Sequence, residues 1–179
     1  MNGLIFIVGR VDWQLFATFT FKSVKVSDAV RVKMFFAVMR EQAENMGVHF
    51  KRVMWCLRSE LGESTERFHF HALIAGLPNW SVSKATCFSY MKIWEKHGGG
   101  MARVRVFNPN LTGVGYTLKG VDEMYSGCDG NFYELNKFGG RCDVMLSKSL
   151  IAHLSQRSGQ GKWRVVEDKH ASEHTAKAE

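Results

Sequence analysis

Apolar positions recur along this chain with two different spacings, and the switches between them mark out its elements. Trp13 to Phe21 (WQLFATFTF) alternates, with Leu15, Ala17, Phe19 and Phe21 on one face and Phe16, Thr18 and Thr20 on the other. That alternation, with its aromatic and β-branched content, predicts a strand. Helical spacing follows: Ser27 or Asp28 is a candidate cap for a helix from about Ala29 to Met46, ended by Gly47. Its predicted inward stripe is Val30, Met34, Ala37, Val38 and Met39. Lys51 to Glu60 returns to alternation, setting Val53, Trp55 and Leu57 against Arg52, Met54, Cys56, Arg58 and Glu60. One face of this second strand is apolar, and the other carries two arginines and ends on a carboxylate.

Arg67 to Ala75 (RFHFHALIA) is a third strand, with Phe68, Phe70, Ala72 and Ile74 on one side and His69 and His71 together on the other. The polar turn Leu61 to Arg67 predicts an antiparallel hairpin between the second and third strands. A helix from Ser81 or Ser83 to about His97 is ended by Gly98 to Gly100, and Ala102 to Phe107 is a fourth strand with Arg103 and Arg105 on one face. Asn110 is a candidate cap of a short helix carrying Tyr116 and Lys119. Further on, Ser126 to Arg141 reads as a loop or short hairpin, Ser147 to Gln156 as a helix and Trp163 to Val166 as a last strand. The order β-α-β-β-α-β predicts an α+β domain of ferredoxin-like or RRM-like type. Its central antiparallel sheet should have about five strands, with helices mainly on one face and the active site on the other. One domain is expected over residues 1–166, followed by a polar tail, 167–179, expected to be disordered.

Composition narrows the partner. The chain has 179 residues, 45% of them hydrophobic, which suits one globular domain with a real core. Its formal net charge of +7 suits a polyanion, nucleic acid or an anionic membrane. No segment approaches a membrane span, and Leu4 to Val8 is too short for a signal-peptide core, so nucleic acid is the expected partner. Cys56, Cys87, Cys128 and Cys142 form no C-x-x-C pair, which suits reduced thiols and a cytoplasmic or nuclear setting. Gly159-Gln160-Gly161-Lys162-Trp163 lacks the spacing of a phosphate loop, so no nucleotide is expected.

The candidate chemistry lies on the polar faces. Two imidazoles one pleat apart can reach a single divalent cation. If the hairpin pairs Glu60 with His69, Arg58 lies opposite His71, and Glu60, His69 and His71 become a three-ligand set with positions left for water or phosphate. Glu63 and Glu66 fall in the turn, where solvated carboxylates are the rule. Such a metal site suits Lewis-acid activation of a phosphoryl oxygen, and Arg52, Arg58, Arg103 and Arg105 would contact a nucleic-acid backbone. On a helix Tyr116 and Lys119 share a face, and a metal or nearby ammonium can activate a phenol as nucleophile.

Phe16 to Phe21 (FATFTF), then His69-Phe70-His71, then Tyr116-x-x-Lys119 resemble, in order and spacing, the three motifs of HUH endonucleases. Among these the chain is most similar to rolling-circle replication initiators of small single-stranded DNA viruses and plasmids, over about Trp13 to Gly120. The resemblance implies a nicking and joining enzyme for single-stranded origin DNA, using Mn²⁺ or Mg²⁺ and leaving a 5′-phosphotyrosyl adduct and a free 3′-hydroxyl. It further implies His69 and His71 as metal ligands, Tyr116 as nucleophile, Lys119 on the phosphate and Glu60 as candidate third ligand. A helicase and polymerase would come from the host. Gly120 stands where many relatives carry a second tyrosine or aromatic residue, implying a one-tyrosine enzyme. The alternatives are a single-tyrosine transposase, a non-catalytic sheet that stacks single strands on aromatics, and a structural metal site.

Overall fold

Four strands and two long helices form in the order that the alternation predicts. They are β1 (Leu15–Phe21), α1 (Asp28–Asn45), β2 (Met54–Leu61), β3 (Phe68–Ala75), α2 (Lys84–Lys96) and β4 (Gly99–Val106). A short helix α3 (Gly113–Thr117), a three-residue strand β5 (Val144–Leu146) and helix α4 (Lys148–Ser158) complete the elements. The computed structural model describes residues 6, 8–61, 67–111, 113–118 and 144–158. Glu63, Glu66, Lys119, the 126–141 loop, the Trp163–Val166 strand, the 167–179 tail, Cys128 and Cys142 lie outside the described residues.

The sheet is antiparallel throughout, in the order β4-β1-β3-β2-β5. The fold is therefore α+β, with the four central strands in ferredoxin-like order and β5 added beyond β2. One face is buried under α1 and α2 by Leu15, Ala17, Phe19, Trp55, Leu57, Phe70, Ala72 and Ile74. Phe35 of α1 anchors this core, edge-on to Trp55 and Phe70 with ring centroids 5.2 and 6.2 Å away. Trp94 of α2 meets Phe19 at 4.8 Å and donates its indole N–H to the Thr20 carbonyl.

Several boundaries move for local reasons. The second strand begins at Met54, because Phe50–Arg52 form a 3-10 turn whose hydrogen bonds are made to His49 and Phe50. Arg52 thus leaves the strand. The buried stripe of α1 is Arg31, Phe35, Val38, Met39, Gln42 and Ala43, whereas Val30 is 48% exposed. The helix is rotated to seat Phe35 among the sheet aromatics, and Arg31 lays its guanidinium 3.7 Å over the Phe68 ring. Ser27 and Ser83 cap α1 and α2 as expected. Gly47 (φ 64°) follows α1 and Gly98 (φ 86°) follows α2, in the left-handed region open to glycine. Gly99 and Gly100 belong to β4 instead of ending α2, and a Cβ on Gly99 would meet the Trp94 indole at 2.2 Å. Asn110 does not cap α3; its backbone N–H bonds to the Asn108 side chain in the preceding turn.

The opposite face is only partly open. Phe16, Cys56, Leu73 and Ala75 form a second core with Val8, Val11, Trp13, Leu118, Leu146, Leu150 and Leu154. Thus α3, α4 and the chain before β1 cover one end of that face. The end carrying Thr18, Thr20, His69, His71, Arg58 and Glu60 stays outside that core. Among the described residues no helix is long and apolar enough to cross a membrane.

Candidate metal centre

Antiparallel pairing builds the site from three rows of side chains. Glu60 pairs with His69, which pairs with Thr20. Arg58 pairs with His71, His71 with Thr18, and Thr18 with Arg103. Cys56 pairs with Leu73, Leu73 with Phe16, and Phe16 with Arg105. Residues directly opposite across a sheet have Cβ atoms about 4.5–5.5 Å apart, so one ion can reach ligands on both strands. The proposed Glu60–His69 register is present.

Glu60 Oε2 lies 3.6 Å from His69 Nε2 and 3.2 Å from His71 Nε2. One ligand atom from each of the three residues falls within 4.8 Å of the others, the one such cluster among the described residues. His71 is 2% exposed, and its Nε2 has no hydrogen-bond partner despite the nearby carboxylate. A buried imidazole nitrogen facing a carboxylate needs a proton or a cation between them. Burial first, then the neighbouring His69 and Arg58, against the opposing pull of Glu60, bring the His71 pKa down to about 4. Its neutral imidazole is ready to ligate. Two imidazoles and one carboxylate therefore fit a divalent cation.

Thr18, which strand alternation alone does not single out as functional, completes the set. Its Oγ1 lies 3.1 Å from His71 Nδ1, leaving Nε2 aimed at Glu60. Such outer contacts fix the ring and tautomer of a ligating histidine. The usable signal is that Thr18 and the histidines share the polar face once β1 and β3 are paired.

No protein-family model, curated protein or solved structure matches the chain.

Tyr116 sits on α3, 52% exposed, with its ring edge-on to His71 at 5.0 Å between centroids. Phe16 stacks on the His71 ring at 6.0 Å and meets the Tyr116 ring edge-on at 6.4 Å. The Arg105 guanidinium lies 4.8 Å from the Phe16 centroid. Arg103 and Arg105 are exposed on β4, at the edge of the sheet, on the same face as the histidines. The other two arginines are placed differently. Arg52 is exposed in the 3-10 turn, at the end of β2 remote from Glu60. Arg58 is half-buried and donates from Nη1 to the Thr117 carbonyl at 3.3 Å.

Proposed function

We propose that this protein is a metal-dependent, sequence-specific single-stranded DNA endonuclease and strand transferase that starts rolling-circle replication through a 5′-phosphotyrosyl intermediate. One structural observation supports the phosphoryl-transfer part of this reading: a half-exposed tyrosine stands edge-on to a buried histidine of a two-histidine, one-carboxylate cluster. The single-stranded origin DNA, the rolling-circle role and the 5′ linkage are what the resemblance of the three motifs to HUH endonucleases implies. A nucleophile and a phosphate-activating centre within one ring contact suit phosphoryl transfer. The net charge of +7 and the two exposed arginines on β4 suit a DNA backbone crossing the same face.

Glu60, His69 and His71 would hold Mn²⁺ or Mg²⁺. When bound, such an ion supplies Lewis-acid polarisation of a phosphoryl oxygen and lowers the barrier to displacement. Tyr116 Oη bonds to the phosphorus as the bond from phosphorus to the 3′-oxygen breaks. The phenolic proton passes to solvent water, and the departing 3′-oxygen becomes a hydroxyl by taking a proton from solvent. Attack by a 3′-hydroxyl on the phosphotyrosine reverses the exchange and accounts for joining. Lys119, three residues on, would neutralise the phosphate. Incubation with Mn²⁺ and a pool of single-stranded oligonucleotides should give a protein band shifted by covalent DNA, and absence of that band with every pool and metal would refute the reading.

A further inference from the structure

Helix α3 has little reason to hold its place unaided. It has five residues, two of them glycines, Gly113 and Gly115. Glycine is among the poorest helix formers, and so short a helix is not stable alone. The position of Tyr116 therefore depends on what the rest of the molecule does to α3. Leu118, just past it, is buried with Cys56 and Leu73. At the other end Gly113 approaches the Phe107 ring so closely that a Cβ would lie 2.9 Å from it. These contacts fix depth but are apolar and without direction.

Arg58 supplies a directional contact from the metal strands. It lies opposite His71 in the register, and its Nη1 donates to the carbonyl of Thr117, the last residue of α3 and the neighbour of Tyr116. A cation near the end of a helix satisfies a carbonyl that has no partner within the helix. Thr117 turns its own hydroxyl back to the Gly113 carbonyl at 2.8 Å, so Arg58 grips a self-closed turn. An arginine committed to a backbone carbonyl while half-buried is poorly placed to follow a DNA phosphate.

We infer that Arg58 is a positioning residue that holds the Tyr116 helix against the histidine strand, and not a contact to the DNA backbone. This rests on the reading of Tyr116 as nucleophile, but its geometric part can be tested without catalysis. Arg58→Met keeps the side-chain stem and removes the donors, and Arg58→Lys keeps a charge.

The test is a double-mutant cycle read by NMR on the metal-free protein. Tyr116→Leu should shift the His71 ring C–H signals, because the tyrosine ring current is lost. In the Arg58→Met background that Tyr116-dependent shift should largely vanish, and in Arg58→Lys it should be partly kept. Using the difference between backgrounds cancels any direct effect of Arg58 on His71. An undiminished shift in Arg58→Met, or in Arg58→Lys should the methionine variant not fold, overturns the inference.

A second arm uses adduct formation with a pool of single-stranded oligonucleotides and Mn²⁺. Arg58→Met should slow the step at saturating DNA by about 10- to 100-fold, the scale seen when a reacting group is misplaced. The DNA dissociation constant and its salt dependence should not change. An unchanged rate, with a salt slope reduced by about one phosphate contact, would make Arg58 a backbone contact instead. If the unmodified protein forms no adduct while the NMR cycle gives the expected loss, the nuclease reading fails and the positioning role stands.

Discussion

Glu60 faces His69 directly across the β2–β3 hairpin, and its Oε2 is closer to His71, at 3.2 Å, than to His69, at 3.6 Å. The carboxylate bridges two successive outward positions of β3, so one residue on β2 completes a set that β3 begins. A one-residue slip of this hairpin would turn Glu60 to the core face and dissolve the site.

Glu60→Gln should weaken Mn²⁺ binding by on the order of 10- to 100-fold or more, since even outer contacts of a metal site have effects of that size. Glu63→Gln and Glu66→Gln should leave it nearly unchanged. Calorimetric titration of the three variants checks this, and a sensitive Glu63 or Glu66 would contradict the ligand set.

Thr18→Val should lower metal affinity less than Glu60→Gln does, and Thr18→Ser should restore it. The valine removes the oxygen 3.1 Å from His71 Nδ1 while keeping the shape of the side chain. Equal affinity for Mn²⁺ in both variants and the unmodified protein would show that the hydroxyl does not orient the ring.

Acid should destabilise the metal-free protein through His71. Its pKa is about 4 when folded, against 6.5 for an ordinary imidazole, so between these values the unfolded chain binds more protons. Stability therefore rises with pH across that window, by at most about 1.4 kcal/mol per pH unit from this one group. It falls as pH drops from 6.5 towards 4, below which the contribution is spent. Urea midpoints from pH 4 to 7 should show a steeper dependence for the unmodified protein than for His71→Gln; parallel curves would contradict this.

Arg103→Ala and Arg105→Ala should each weaken single-stranded DNA binding and reduce the salt slope by about one contact, because both are exposed on the site face. Arg52→Ala should change neither, as it stands at the remote end of β2. Fluorescence anisotropy across a salt series reads both quantities, and a large effect at Arg52 with none at Arg103 would reverse the assigned DNA path.

Much of this was legible in the chain because strand alternation is a strong signal. His69 and His71 had to share a face, whereas the register that sets Glu60 opposite His69 was one the sequence allowed and the β2–β3 pairing supplies. Other features depend on long-range contacts that leave little local trace. β5 is only three residues long, and it is placed by pairing with Cys56, Leu57 and Arg58. The rotation of α1 follows from Phe35 finding Trp55 and Phe70, which its own helical stripe does not reveal. Alternation put Arg58 on the polar face, yet its partner Thr117 lies 59 residues away. Tyr116 likewise meets the His71 ring from a separate short helix, α3, which no local pattern ties to β3.

On the proposed function, Tyr116 should become covalently joined to DNA beside the Glu60, His69 and His71 cluster. The measurement is denaturing electrophoresis after incubation with labelled single-stranded oligonucleotides and Mn²⁺, with mass spectrometry of the labelled peptide. The expected result is a metal-dependent adduct on Tyr116, absent in Tyr116→Phe although that variant folds and binds DNA as before. An adduct that survives in Tyr116→Phe, or maps to another residue, would exclude Tyr116 as the nucleophile.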